Sequence, residues 1–588
     1  MSTPVDDATV EPGTELAGAD GRHPLVVWAW SLLRLRFVGV VFGALFFCLS
    51  LTPSLLPRTW LFQGLIGGIN AAFGYGLGVL VEKAAQRFVL RAARWWPPPA
   101  PVLLGLKAAV VAIAPTAAVL MLIPAAAWQR QVSALMGLPG PTTLGYLRTL
   151  IVAVAVSALL VATCRVLIDA VKLLARMLIR RWHLHNEVAL FIGTTIVVVL
   201  LVTLINGVLV RGFFIGMNAL SEPRNNSTGA DIRQPLLPEK SGSPASLAPW
   251  ETLGFQGRNF VATGPNAAEL TRLNGRPAKE PIRVYAGLET ADDDQARMQV
   301  ILGELERTGA FTRKLLVLVP TTGTGWINPA AARSLEMMYN GDTAMVGVQY
   351  SYLPSWVSFL ADRQKSMDSG RTLIDTIHDR WQQLPPDHRP KLVLYGESLG
   401  SMAGQAAFGF LPDIAKMGFD AVLWVGPPHE SPLWHALIVR RDPGTTEVQP
   451  RYDNGRTVRF GEAIDPVEID RLAAPPWDGT RVLFLQHPSD PVVWWSPDLL
   501  FSRPDWLVEP PGRDRTASMR WYPVVTFWQV SADLPEAEAM PGGHGHNYAN
   551  TVLDGWAAVI PPDGWTLADT ERMRVALKQS EGADGSQS

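Results

Sequence analysis

Apolar residues along this chain fall into two regimes of different spacing. Before residue 216, five stretches run almost without charge, at about 36–55, 60–81, 102–127, 147–170 and 188–214. Each approaches the roughly 20 mainly apolar residues that a helix needs to cross a bilayer. A buried core helix is the alternative, and so many runs of this length in one part of a chain argue against it. The first run begins well inside the chain, lacks a small-residue cleavage site and is followed by others, so it reads as a crossing and not as a cleavable leader. After about residue 250 the pattern changes to short β-rich runs at Lys314–Val319, Ala344–Gln349, Leu392–Tyr395, Ala421–Val425, Val482–Gln486 and Val524–Gln529. Helical stretches such as 371–383 and 401–417 separate several of them. That alternation predicts a mostly parallel sheet flanked by helices. Residues 216–250 are rich in Pro, Ser, Asn and Gly and have no period, which predicts a linker. The expected organisation is an N-terminal cytoplasmic segment 1–35, a five-helix transmembrane domain 36–215, the linker 216–250 and an α/β domain 251–588.

Composition narrows the possible partners. Hydrophobic residues make up 48% and charged residues 18%, with a net charge of −2. No basic stripe interleaves with aromatics, so nucleic acid is not a predicted partner, whereas the lipid bilayer is. The two cysteines, Cys48 and Cys164, both lie in apolar runs and offer neither a disulfide framework nor a cysteine-rich zinc site. Polar positions inside the runs, such as Asn70 and Asn206, leave a transport path open as an alternative to a packed anchor. The spacings Gly64-x-x-x-Gly68 and Gly74-x-x-x-Gly78 suit close helix packing.

Within the second regime, residues 391–404 read KLVLYGESLGSMAG. An apolar strand-like run gives way to Gly396-x-Ser398-x-Gly400 and then to a helical pattern. A serine between glycines at a strand-to-helix turn has the form of a nucleophile elbow, in which the turn is too tight for bulky neighbours and the hydroxyl is exposed. A serine hydroxyl is a weak nucleophile and needs a base, itself oriented by a carboxylate. Asp490 follows the strand-like run VLFLQ, and Asp533 is a second candidate acid near the end of the last run. His544 and His546 lie in the glycine-rich PGGHGHNY segment. Serine, acid and histidine follow in that order with gaps of roughly 90 and 55 residues, as a triad on this type of fold requires. His546 is the preferred base because it stands two residues before Tyr548, and His544 is then a supporting residue. His-x-His also suggests a metal, but no nearby side chain completes a convincing ligand set. Neither a metal nor a cofactor is predicted. The N–H of Leu399, just after the serine, is the predicted first oxyanion donor, and Thr322 in the loop PTTGTGW is the second. The aromatics Trp494, Trp495, Phe501 and Trp506 read as core, with an apolar lid as the alternative.

Several segments carry a resemblance: PIRVYAGL (281–288), PTTGTGWINP (320–329), GDTAMVGVQYSYLPSW (341–356), GESLG (396–400), LWVGPPHESPLW (423–434) and PGGHGHNY (541–548). Together they resemble a family of polytopic bacterial membrane proteins with a C-terminal α/β-hydrolase domain. The resemblance implies a serine hydrolase fold and leaves the substrate open. The function expected is a membrane-anchored serine hydrolase acting on an acyl ester, with an envelope lipid suggested by location. The alternatives are an acyltransferase with the same triad and a non-catalytic transporter or sensor with a ligand-binding domain. Oligomeric state is left open.

Lys83, Arg87, Arg91 and Arg94 follow the second run, and Lys172, Arg176, Arg180 and Arg181 follow the fourth, whereas the other connections offer mainly Arg58 and Arg130. Basic connections stay in the cytoplasm. This places the N-terminus inside and the α/β domain outside the cell membrane. A fusion truncated after residue 220 should therefore give active alkaline phosphatase and a dark green fluorescent reporter. The reverse pattern would put the α/β domain in the cytoplasm.

Overall fold

The computed structural model describes residues 36–88, 99–462, 476–549 and 551–585. The N-terminal segment 1–35 and the connection bearing Arg91 and Arg94 lie outside the described residues. The apolar runs form helices α1 (Phe37–Ser50), α2 (Trp60–Phe88), α3 (Ala100–Leu135), α4 (Arg148–Trp182) and α5 (Asn186–Thr203). A π-helical stretch, Leu204–Val210, carries α5 without interruption into α6 (Arg211–Asn226). Four helical segments are long and apolar enough to cross a membrane: Trp60–Phe88, Ala108–Leu135, Arg148–Trp182 and Asn186–Asn226.

The first predicted crossing differs. Its helix has 14 residues, about 21 Å at 1.5 Å per residue, which is short of the roughly 30 Å hydrocarbon core. Pro53 and Pro57 follow, and proline does not sustain a helix interior. Leu51, Leu55 and Leu56 are instead fully buried in the turn. The two glycine pairs of α2 serve two neighbours. Side chains at Gly64 and Gly68 would meet Val152 and Val156 of α4, and at Gly74 and Gly78 would meet the carbonyls of Phe42 and Val38 of α1.

The second half holds a seven-stranded parallel sheet in the order β1-β3-β2-β4-β5-β7-β6. The strands are β1 (Ile282–Ala286), β2 (Leu315–Pro320), β3 (Thr343–Val348), β4 (Lys391–Glu397), β5 (Phe419–Val425), β6 (Val458–Gly461) and β7 (Arg481–Leu485). All but three strand positions are buried, as a sheet covered by helices on both faces requires. Helices that matter for the site are α7 (Pro329–Met338), α8 (Leu399–Gln405) and α9 (Val525–Asp533).

The expected strand Val524–Gln529 is therefore a helix. Its buried positions, Val525, Thr526, Gln529, Val530 and Asp533, recur with a helical and not an alternating period. The β-branched and aromatic residues there fill a helix face against the core. Residues 216–250, read from composition as a linker, divide between the end of α6 and an irregular stretch that meets β1 at a single bridge, Lys240 to Arg283. Ser241 N donates to Arg283 O (3.0 Å), Arg283 N donates to Glu239 O (3.1 Å), and the Ser241 hydroxyl donates to Glu304 (2.7 Å).

The two halves share one core. Leu55 and Leu56 from the turn after α1, and Val132 and Met136 from the end of α3, join the hydrophobic cluster that covers one face of the sheet. Polar groups seal the same junction. Arg58 Nε meets Asp533 Oδ1 at 2.8 Å, with both side chains almost fully buried. Ser54 and the Leu55 N–H also donate to Asp533. Gln529 reaches the carbonyls of Ser50 (3.1 Å) and Thr52 (2.8 Å). Burial pushes the Asp533 carboxyl above the usual range, and Arg58 acts against that push.

Removing one member of a buried pair strands the other charge, at about 3–5 kcal/mol, whereas replacing both by apolar groups is close to neutral. Asp533→Ala should lower unfolding stability by that amount in detergent. The double variant Arg58→Met, Asp533→Leu should recover most of the loss. Equal losses in the single and double variants would show that the pair is not what joins the halves.

Candidate active site

The C-terminal ends of the central strands build the site. β4 ends at Glu397, and Ser398 then takes φ 55° and ψ −126° before α8 begins. A positive φ is strained for any residue with a Cβ. Backbone crowding holds Ser398 there. A side chain at Gly400 would strike the Pro320 carbonyl, and one at Gly396 would strike the backbone of Gly400 and Ser401. The small residues flanking Ser398 are thus required by close approach of β2 and of the first turn of α8. Leu399 opens α8, so its N–H has no acceptor within the helix and is free for a ligand. Thr322 lines the same cavity as Ser398, but its N–H leans toward Trp326 O at 3.4 Å, a long bond that is easily exchanged.

Asp490 follows β7 and is fully buried. Its Oδ1 accepts from the Val492 N–H (2.8 Å), capping the short helix Pro491–Trp494. Its Oδ2 meets His546 Nδ1 at 2.7 Å and accepts from the Tyr548 hydroxyl, also at 2.7 Å. Tyr548 is held in turn, since its hydroxyl accepts from the His487 N–H (3.0 Å) and its ring stacks on His487 with centroids 4.0 Å apart. Burial pulls the His487 ring down to about 4, so it is neutral and packs as an aromatic.

The two candidate histidines separate cleanly. His546 turns its ring inward to Asp490, and its backbone N–H donates to Ala537 O (2.9 Å). Its Nε2 has no hydrogen-bond partner among the described residues, and it shares a cavity of 710 Å³ with Ser398. His544 meets a different carboxylate, Asp514, at 3.0 Å. Ser489 donates to the same Asp514 oxygen (2.6 Å) and accepts from the Gly545 N–H (2.8 Å), which fastens the loop between the two histidines. His544, Arg513 and Ser489 keep Asp514 below the usual carboxylate range although burial opposes its charge. Asp533, the other candidate acid, is engaged by Arg58. Trp494, Trp495 and Trp506 are core residues, and Phe501 is exposed.

Sequence reasoning missed Glu397, although it lies inside the GESLG motif. It is buried beside Ser398 and accepts from Tyr395 (2.6 Å) and Asn328 (2.9 Å). Burial raises its carboxyl above the usual range. Glu538 also lines the cavity. A second cavity, of 300 Å³, is lined by His429, Glu430, His435 and Asp498 among others. Among the described residues, however, no group of three or more His, Cys, Asp or Glu is disposed to hold a metal.

Residues 282–573 match the model described as the alpha/beta-hydrolase family, and residues 51–265 match that of the alpha/beta-hydrolase family N-terminus. The chain belongs to this alpha/beta-hydrolase family. No curated protein and no solved structure matches it.

Burial disfavours a charged His546 ring, but Asp490, together with Glu538 and Glu397, outweighs burial and raises its titration to about 9. An NMR titration of the ring should therefore show its midpoint well above the ordinary value near 6.5. Asp490→Asn leaves burial with less opposition, so the midpoint should fall. An unmoved midpoint would remove Asp490 as the cause.

Proposed function

We propose that this protein is a membrane-anchored serine hydrolase that cleaves an acyl ester through Ser398, His546 and Asp490. The observation that carries the reading is the shared cavity of a strained Ser398 and a His546 whose far nitrogen is bound to a buried carboxylate. Ser398 Oγ attacks the ester carbonyl carbon while His546 Nε2 takes its proton. The negative charge that develops on the carbonyl oxygen is met by the Leu399 N–H, with Thr322 or its neighbours as the second donor. The tetrahedral adduct collapses, the alcohol leaves with the proton from His546, and water repeats the sequence on the acyl-enzyme. Asp490 keeps Nδ1 protonated, so that Nε2 is the basic atom. The base must be neutral, so turnover rises with pH through the raised His546 titration.

The helices act as the anchor. Four of them have the length and apolarity of crossings. The basic ends of α2 and α4 lie at the opposite end of the helices from the turns that pack on the α/β domain. Basic ends in the cytoplasm therefore support a catalytic domain on the outer face, whether or not the short α1 crosses.

A fluorophosphonate should label the wild-type chain and not Ser398→Ala. His546→Ala should lower turnover of a short-chain ester by about 10⁴-fold or more, and His544→Ala by far less. Labelling of Ser398→Ala at the wild-type level would exclude the serine. Near-full activity of both histidine variants would exclude the triad.

A further inference from the structure

The active-site cavity is walled by segments that continue directly from the apolar helices. Asn186–Asn226 runs as one helical segment. Near its end Ile215 and Leu220 are 69% and 76% exposed. The next residues, Ser221, Arg224 and Asn225, line the cavity that holds Ser398 and His546. Arg224 stands four positions after Leu220, about 6 Å along the helix axis. The exposed apolar surface of this helix and the cavity that holds Ser398 therefore meet within roughly one helical turn.

This wall is fixed in place. Asn225 is buried, and its side-chain oxygen accepts from Gln349 (2.8 Å), which also donates to Thr324 O (3.1 Å) in the loop beside Ser398. The Asn225 carbonyl accepts from Arg258 (2.7 Å). On the other side, Leu534, Pro535 and Glu538 line the cavity immediately after Asp533, the residue clasped by Arg58. The cavity thus lies between two struts that both lead back to the apolar helices.

Its chemistry is divided in a way that suits an amphiphile. Phe255, Trp326, Pro354, Leu534 and Leu577 supply apolar lining. Arg224 is exposed, and its guanidinium lies over the Phe255 ring, 5.7 Å from the centroid. If this helix crosses a bilayer, a cation one turn beyond its last exposed leucine falls near the lipid headgroups, and guanidinium pairs strongly with phosphate.

Building on the serine-hydrolase reading, we propose that the substrate is an acyl-ester lipid with a phosphate headgroup. It is taken sideways from the adjoining leaflet past Ser221, with its acyl chain in the apolar lining and its phosphate on Arg224. Ser398 attacks the ester carbonyl, the acyl–oxygen bond breaks, and the lyso-lipid leaves with the proton from His546. Water then releases the fatty acid.

The test uses the full chain in vesicles of non-hydrolysable ether phosphatidylcholine. Phosphatidylglycerol and diacylglycerol with identical acyl chains are supplied in that bilayer, and p-nitrophenyl butyrate is supplied in solution. Arg224→Gln should lower kcat/KM on phosphatidylglycerol about tenfold more than on diacylglycerol. Ser221→Trp, which fills the lipid-facing wall, should lower turnover of both membrane lipids about tenfold more than turnover of the soluble ester. Proportional losses on all three substrates, or wild-type turnover of the soluble ester alone, would overturn the lipid proposal and leave the serine hydrolase standing. No turnover of any ester together with no fluorophosphonate labelling would remove the hydrolase reading and this proposal with it.

Discussion

Arg58 and Asp533 are each buried against the other half of the chain, and neither charge has a reason to be buried without its partner. Apolar contact alone, through Leu55, Leu56, Val132 and Met136, would let the halves slide. The ion pair, with Ser54 and Gln529 bonding around it, fixes one register. The consequences extend to the site, because the chain passes from Asp533 into the segment that lines the cavity and whose Ala537 carbonyl receives the backbone N–H of His546. A contact between a helix turn and a sheet-side helix thus positions the imidazole.

Around that imidazole the protein concentrates negative charge. Asp490, Glu397 and Glu538 all favour its protonated form, against the penalty of burial. Asp490 is itself held by a tyrosine and a backbone N–H, which spread its charge and fix its plane. On the proposed mechanism, such a site is preorganised for the imidazolium that forms when Ser398 gives up its proton. Asp514 and His544 repeat the pairing a few ångströms of chain away, yet there it serves to hold a loop, which shows that the side-chain types alone do not define the role.

How much was legible depended on whether a residue's role is local. β2 to β5 and β7 stand out in the sequence because strands of a parallel sheet buried on both faces read as continuous apolar runs. β1 is hidden by Arg283, which is buried only because Glu336 meets it 2.7 Å away on α7. β6 has four residues, too few to show a pattern. Residues 525–533 have strand-like composition, and only the core they pack against selects the helix. The approach of His546 to Asp490 follows chain order and strand ends, which are readable in sequence. The pairing of His544 with Asp514, the place of Glu397 and the partner of Asp533, 475 residues away, depend on tertiary contact and left no local trace.

The stretch bonded along β1 bears on how this protein can be handled. Residues 239–241 occupy the hydrogen-bonding edge of the sheet's first strand, and Ser241 satisfies Glu304 beneath it. A fragment begun at residue 251, a natural choice for a soluble α/β piece, would bare that edge and uncover the leucine-lined seam left by Leu55 and Leu56. Open strand edges recruit one another. The cut that promises solubility is the one that would turn the α/β half into a self-associating surface.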